Sequence, residues 1–160
     1  MGLDIKFIGF ATINHLNIRS QGNDDQKIIA IDVSLSGMVS ARALMPVVGV
    51  DAEEDIIDSF WCYNQEGGEY SPKLLGVEQI TTWGIFDNHQ LRIGRHSAYA
   101  TVKKIKFKPQ ANLESDVSLV ATIDNPDDAL INHLVDHIKD DVQAEIKAPP
   151  ELDLTPGAAA

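Results

Sequence analysis

The chain has 160 residues, room for one domain, and 44% of them are apolar, enough for a core and too many for a disordered chain. It carries 24 Asp+Glu against 13 Lys+Arg, a net charge of −11, which is ill suited to gripping duplex DNA with the whole surface. No apolar run approaches the ~20 residues of a spanning helix, and the start (Met1-Gly2-Leu3-Asp4-Ile5-Lys6) lacks a signal-peptide pattern, so a soluble, cytoplasmic protein without membrane contact is expected.

Strands dominate the reading. Ile5 to Phe10 and Ala11 to Arg19 form one long bent strand, and Asn23-Asp24-Asp25 is a turn signal. Lys27 to Ser36 alternates cleanly: Ile29, Ile31, Val33 and Leu35 share one face, and Asp32, Ser34 and Ser36 the other. Ser40 to Val50 is ambiguous and broken by Pro46. A short helix starts at Asp51, where Asp51 and Glu54 have capping-box spacing, and Ile56, Ile57, Phe60 and Trp61 supply its apolar face. The only cysteine, Cys62, rules out an intrachain disulfide and a cysteine-based zinc site; after Phe60-Trp61 it reads as a buried structural thiol.

Asn64 to Gly76 reads as a mobile polar loop. Its Gly67-Gly68 lacks the spacing and trailing Lys-Ser/Thr of a phosphate loop. Strands at Gln79 to Phe86 and His89 to Ile93 flank Asp87-Asn88 as a hairpin. Ser97 to Lys108 is a long strand ended by Pro109, and Asp116 to Ile123 sends Val117, Leu119, Ala121 and Ile123 to one face. A second helix has Asn125 as N-cap, Pro126 at its first position and Asp127 and Asp128 in its first turn. Leu130, Ile131, Leu134, Ile138 and Val142 form its apolar stripe. Ala144 and Ile146 close a single domain over 1–147, and 148–160 reads as a flexible acidic Pro/Ala tail. The fold class is α+β: a mainly antiparallel, strongly bent sheet or partly closed barrel with two short helices. An oligonucleotide-binding-type barrel is one candidate.

Catalytic chemistry is weakly signalled. No Ser–His–Asp order, nucleophile elbow or nucleotide-binding glycine pattern is recognisable, so the reading is non-enzymatic with no cofactor. His133 and His137 stand four apart on one helical face, where two imidazoles could grip a metal. Leu134 occupies the position at which a zinc-protease motif needs Glu, so the pair is read as part of a solvated polar face and no metal site is expected. Asp51, Glu53, Glu54, Asp55 and Asp58 could hold a divalent cation; an exposed capped helix explains them with fewer assumptions.

The distribution of charge is less ordinary. Residues 89–110 hold Arg92, Arg95, Lys103, Lys104, Lys106 and Lys108 and no acid, a +6 segment in a chain whose remainder totals −17. Alternation sends Lys104, Lys106 and Lys108 to one face and Ile105 and Phe107 to the other. Ammonium groups every ~7 Å suit a phosphate backbone. Tyr99, His96, Trp83 or Phe86 could stack on bases. The same lysines would also protect an exposed strand from sheet-to-sheet aggregation.

The run Val102-Lys103-Lys104-Ile105-Lys106-Phe107-Lys108-Pro109, the alternating strand after it, and Pro126-Asp127-Asp128 with its short helix resemble small accessory proteins of tailed bacteriophages and prophages. Some of those are similar to products of DNA replication and recombination regions. The resemblance spans roughly residues 3–147 and carries no catalytic residue. It implies an accessory protein acting on DNA or on a DNA-processing partner in the host cytoplasm. The leading expectation is a non-enzymatic protein that binds single-stranded nucleic acid, or such a partner, through Arg92, Arg95, Lys104, Lys106, Lys108 and Tyr99. The alternatives are an acidic protein-interaction module (an inhibitor or DNA mimic) and a structural component that forms homo-oligomers through sheet edges or the apolar stretch Ala43 to Val50.

Overall fold

The structure, a computed structural model, describes residues 2–22, 28–73 and 79–149. The expected turn at Asn23-Asp24-Asp25, the end of the polar loop at Gly76 and the tail from residue 150 lie outside the described residues. In chain order the elements are β1 (Asp4–Lys6), β2 (Ile8–Gln21), β3 (Ile28–Ser40), a 3-10 turn (Ala41–Leu44), α1 (Met45–Val48), α2 (Glu53–Phe60), β4 (Trp61–Asn64), β5 (Glu69–Pro72), β6 (Ile80–Thr81), β7 (Phe86–Ile93), β8 (His96–Pro109), β9 (Glu114–Asp124), α3 (Asp128–Asp136), β10 (Asp141–Val142) and β11 (Ala144–Lys147).

The main sheet is wholly antiparallel and runs β1-β11-β7-β8-β9-β3-β2-β10, with β6 against β8. It curls until its ends meet. Gln143 alone separates β10 from β11, yet β10 pairs with β2 and β11 with β7 and β1. The expected α+β, partly closed barrel is what the chain forms, with three short helices where two were expected: α1 over Met45–Val48 is the addition. Its wall, β2-β3-β9-β8-β7-β11, has more strands than the five of an oligonucleotide-binding barrel.

Period-two patterning fills the interior. Ile31, Val33 and Leu35 of β3, Ile105 and Phe107 of β8, and Val117, Leu119, Ala121 and Ile123 of β9 are all buried. Ile29 departs from this pattern and is 52% exposed. It keeps the inward parity but lies near the β2–β3 end of the hairpin, beyond the packed core. The long first strand is interrupted at Phe7, and β2 slips register between Ile8 and Thr12 and again between Ile13 and His15. Gly9 supplies a left-handed φ of 72° at the first slip. Opposite, a Cβ on Gly37 would lie 2.6 Å from the Phe7 ring, so glycine there lets that ring pack on the β3 backbone.

The helices plug the barrel. Ala41, Ala43 and Leu44 are buried, and Met45, Val47, Val48 and Val50 pack against the core. The apolar stretch Ala43 to Val50, expected to be available for self-association, thus packs in part against the molecule's own core. Phe60 at the end of α2 meets Phe107 edge to face at 5.3 Å. The Asp51–Glu54 capping box does not form: Ala52 occupies the N-cap without a side-chain bond, and the helix begins at Glu53. Trp61 is buried as the first residue of β4, not as part of the helix face. Strand alternation then turns Cys62 outward, and the thiol expected to be buried is exposed. The supposed loop after it is a β4–β5 hairpin, turned at Gly68 (φ 67°) with Gly68 N–H on the Asn64 carbonyl at 2.8 Å.

α3 starts later than its sequence signals. Asn125 takes a left-handed φ of 48° and bonds the Ile29 carbonyl, and Asp127 caps the helix by accepting from Leu130 N–H at 2.8 Å. Leu130 and Leu134 are buried. Ile138 and Val142 fall beyond the helix end, so the stripe is shorter than its periodicity; Ile138 is exposed and Val142 enters β10.

Candidate functional site

The β7–β8 hairpin carries the basic segment. Its turn is Gly94-Arg95, not Asp87-Asn88: Ile93 pairs with His96, and Gly94 provides φ 59°. Asp87-Asn88 forms a bulge inside β7, with Asn88 at φ 56° and the register slipping between Phe86 and His89. Turn and bulge draw on the same residue preferences, which is why the dipeptide alone misleads. The strand expected at Gln79 to Phe86 is β6 alone, followed by residues 82–85 without regular secondary structure.

A second bulge determines the face. The β8–β9 register slips between Lys103 and Lys106, and Lys104 sits at φ 53°, a left-handed conformation uncommon for a lysine. Strict alternation would put Tyr99 on the face of Lys103 and Ile105 and send Lys104 to the opposite one. The extra residue reverses the phase midway. Tyr99 is exposed above the slip, Lys104, Lys106 and Lys108 are exposed below it, Lys103 is half-buried, and Ile105 and Phe107 remain in the core.

Within the described structure these lysines are not ion-paired to the chain's own acids. Among the described residues Lys103, Lys104, Lys106 and Lys108 make no ion pair. Their cross-strand neighbours are mostly uncharged: Lys106 faces Ser118, Lys103 faces Val120, and those residues in turn face Ser36 and Ser34 of β3. Asp116 lies opposite Lys108 and accepts from the Gln110 amide at 2.9 Å. Asp32, farther across the sheet, is bound by Arg19 and Thr122. Burial pushes the Asp32 carboxyl up, but hydrogen bonds from Arg19, Thr122 and Asn17 and the Arg19 charge outweigh it and bring it down to about 2.

The other expected site residues are more dispersed. Arg95 is exposed in the turn, and Arg92 is exposed but lies 3.5 Å from Glu145. Trp83 is 84% exposed and Tyr99 61%. Trp83 follows Thr82, whose N–H and hydroxyl both donate to the Ile105 carbonyl at 2.9 Å, so it emerges beside the Lys104 bulge. Phe86 is half-buried with its ring edge-on to His89, and His96 is stacked on His133. Those two rings do not stand free.

His96 also joins the helical pair that sequence spacing singled out. The ring centroids of His96 and His133, and of His133 and His137, are each 4.5 Å apart. Among the described residues no group of three or more His, Cys, Asp or Glu is arranged to hold a metal ion. The acids Asp51, Glu53, Glu54, Asp55 and Asp58 are exposed on and before α2. No described helix is long and apolar enough to cross a membrane.

Comparison with protein-family models, curated proteins and solved structures finds no match.

Proposed function

We propose that the chain is a non-enzymatic accessory protein, of the kind tailed phages carry, which binds single-stranded nucleic acid through the outer face of β8. One observation carries this reading: the bulge at Lys104 gathers Tyr99 and a row of lysines, none ion-paired among the described residues, onto one exposed face. Lysines spaced along a strand can follow successive phosphates, and each phosphate neutralised releases condensed counterions. Tyr99 and Trp83 are both exposed and offer flat surfaces near the Lys104 end of the row for unstacked bases. A single strand can conform to such a strip; a duplex, with its bases already stacked inward, cannot use those rings.

Fluorescence anisotropy with a labelled single-stranded oligonucleotide at low salt tests the reading. Binding should weaken linearly in log–log terms as salt is added, and K104E/K106E/K108E should abolish it. Affinity that is indifferent to salt, or that survives the triple charge reversal, overturns it.

A second reading, an acidic protein-interaction module, draws support from α2 and its approach, where Asp51, Glu53, Glu54, Asp55 and Asp58 are exposed without ion pairs among the described residues. Under it, neutralising Glu53, Glu54, Asp55 and Asp58 as amides would abolish partner binding. Under the nucleic-acid reading the same variant would bind oligonucleotide at least as tightly as the parent, because repulsion falls.

A further inference from the structure

We propose that His96, His133 and His137 form an acid-sensitive latch that keeps the barrel seam closed. The three rings make one stack. His96 and His133 are tilted by 37° and His133 and His137 by 58°, each pair with centroids 4.5 Å apart. His96 opens β8 directly after the Gly94-Arg95 turn, His133 lies within α3, and His137 caps the C-terminus of that helix. The stack therefore clips one end of the β7–β8 hairpin to the end of α3.

The end of α3 feeds straight into the seam. Lys139 N–H donates to the Ile13 carbonyl at 2.6 Å, and Ile13 N–H donates to the Asp140 carbonyl at 3.4 Å. Asp141 and Val142 then pair with Thr12 and Ala11. Whatever holds the helix end in place also holds β10 against β2.

The central ring cannot easily accept a proton. His133 Nε2 is shielded from solvent and has no hydrogen-bond partner among the described residues. A Cβ built on Gly94 would lie 3.3 Å from that nitrogen, so only glycine leaves the ring its room against the turn. Charged groups lie around the stack on each adjoining element. α3 contributes Asp136, and the turn after it contributes Lys139 and Asp140, the latter with its carboxylate 3.4 Å from His137 Nδ1. The β7–β8 turn contributes the cation Arg95, and β10 contributes Asp141, which accepts from Thr12. Burial lowers the His133 pKa, and charge on His137 and His96 lowers it further; Asp136 works in the opposite direction. A histidine with a lowered pKa in the closed form binds protons more readily when open. The latch is therefore held above the ordinary imidazole value of ~6.5 and weakens as pH falls below it.

Hydrogen exchange followed by NMR on the intact chain tests this. Protection factors, which correct for the intrinsic pH dependence of exchange, are compared at pH 7.5 and pH 5. Those of Ile13 and Lys139 should fall about tenfold or more relative to Val33 and Leu119 in the barrel wall. The variant H96Q leaves the buried face of α3 intact and should remove much of that acid response. Seam amides that keep pace with the wall between the two pH values overturn the proposal. So does an H96Q variant with the full acid response.

Discussion

Thr122 and Asp32 meet on the outer face of the sheet, where the threonine hydroxyl donates to the carboxylate at 2.6 Å. Arg19 reaches the same carboxylate from β2 through two N–H groups, at 2.9 and 3.3 Å. One side chain thus ties three adjacent strands together. Because its pKa is lowered in the folded state, Asp32 contributes stability that is complete above the ordinary value of 3.8 and is lost as pH falls toward about 2. D32N should cost roughly 2 kcal/mol at pH 7, and the gap to the parent should narrow through that acid interval. Urea unfolding at pH 7 and pH 3 checks it; a gap of equal size at both values contradicts the assignment.

Lys104 separates stability from binding. Its left-handed backbone costs a non-glycine residue about 1–2 kcal/mol, which glycine does not pay. K104G should stabilise the fold by a few tenths to about 1 kcal/mol, after the extra chain entropy of glycine is deducted. It should also weaken binding of a single-stranded oligonucleotide and lower the salt slope by about 0.7. Thermal unfolding and anisotropy on the same preparation read both effects.

His89 staples the first strand to the wall. It is 4% exposed, its Nε2 accepts from Leu3 N–H at 2.9 Å, and its Nδ1 lies 2.9 Å from the Asp87 carbonyl. These partners assign the proton to Nδ1. H89L leaves the Leu3 N–H and the Asp87 carbonyl without that partner and should cost about 1–3 kcal/mol. Chemical denaturation gives the number, and a neutral substitution would show that water replaces the ring.

G37A should destabilise by about 1–3 kcal/mol, because the new methyl would enter the Phe7 ring and force it from its site against β3. Pairing it with F7L should recover part of the loss, as a double-mutant cycle would register.

Cys62 should react in the native protein. Its side chain points outward from β4, so a thiol reagent should modify one group per chain without denaturant, at a rate that denaturant raises little. Slow modification that waits for unfolding would place the thiol in the core after all.

The parts of the fold that were legible are those governed by strict alternation. β3, β9 and the lower half of β8 declare their inner faces through Val33, Leu119 and Phe107. Bulges erase that signal, since one added residue reverses every side chain after it. Nothing in Lys103-Lys104 marks a bulge, because the residue that adopts the left-handed conformation is neither glycine nor asparagine. The basic row was visible, but its alliance with Tyr99 depends on that reversal. Likewise the spacing of His133 and His137 shows a pair, while His96, 37 positions earlier, joins them only through the tertiary fold.

The seam also sets an order of events in synthesis. Residues 141–147 pair with both ends of the sheet, and they leave the ribosome after every other wall strand. Until they arrive, the nascent sheet carries two bare edges, along β2 and along β7, each a template for pairing with another chain. Truncation before residue 141 should therefore yield a sticky open sheet, and slow translation of the last segment should lengthen the time spent in that state.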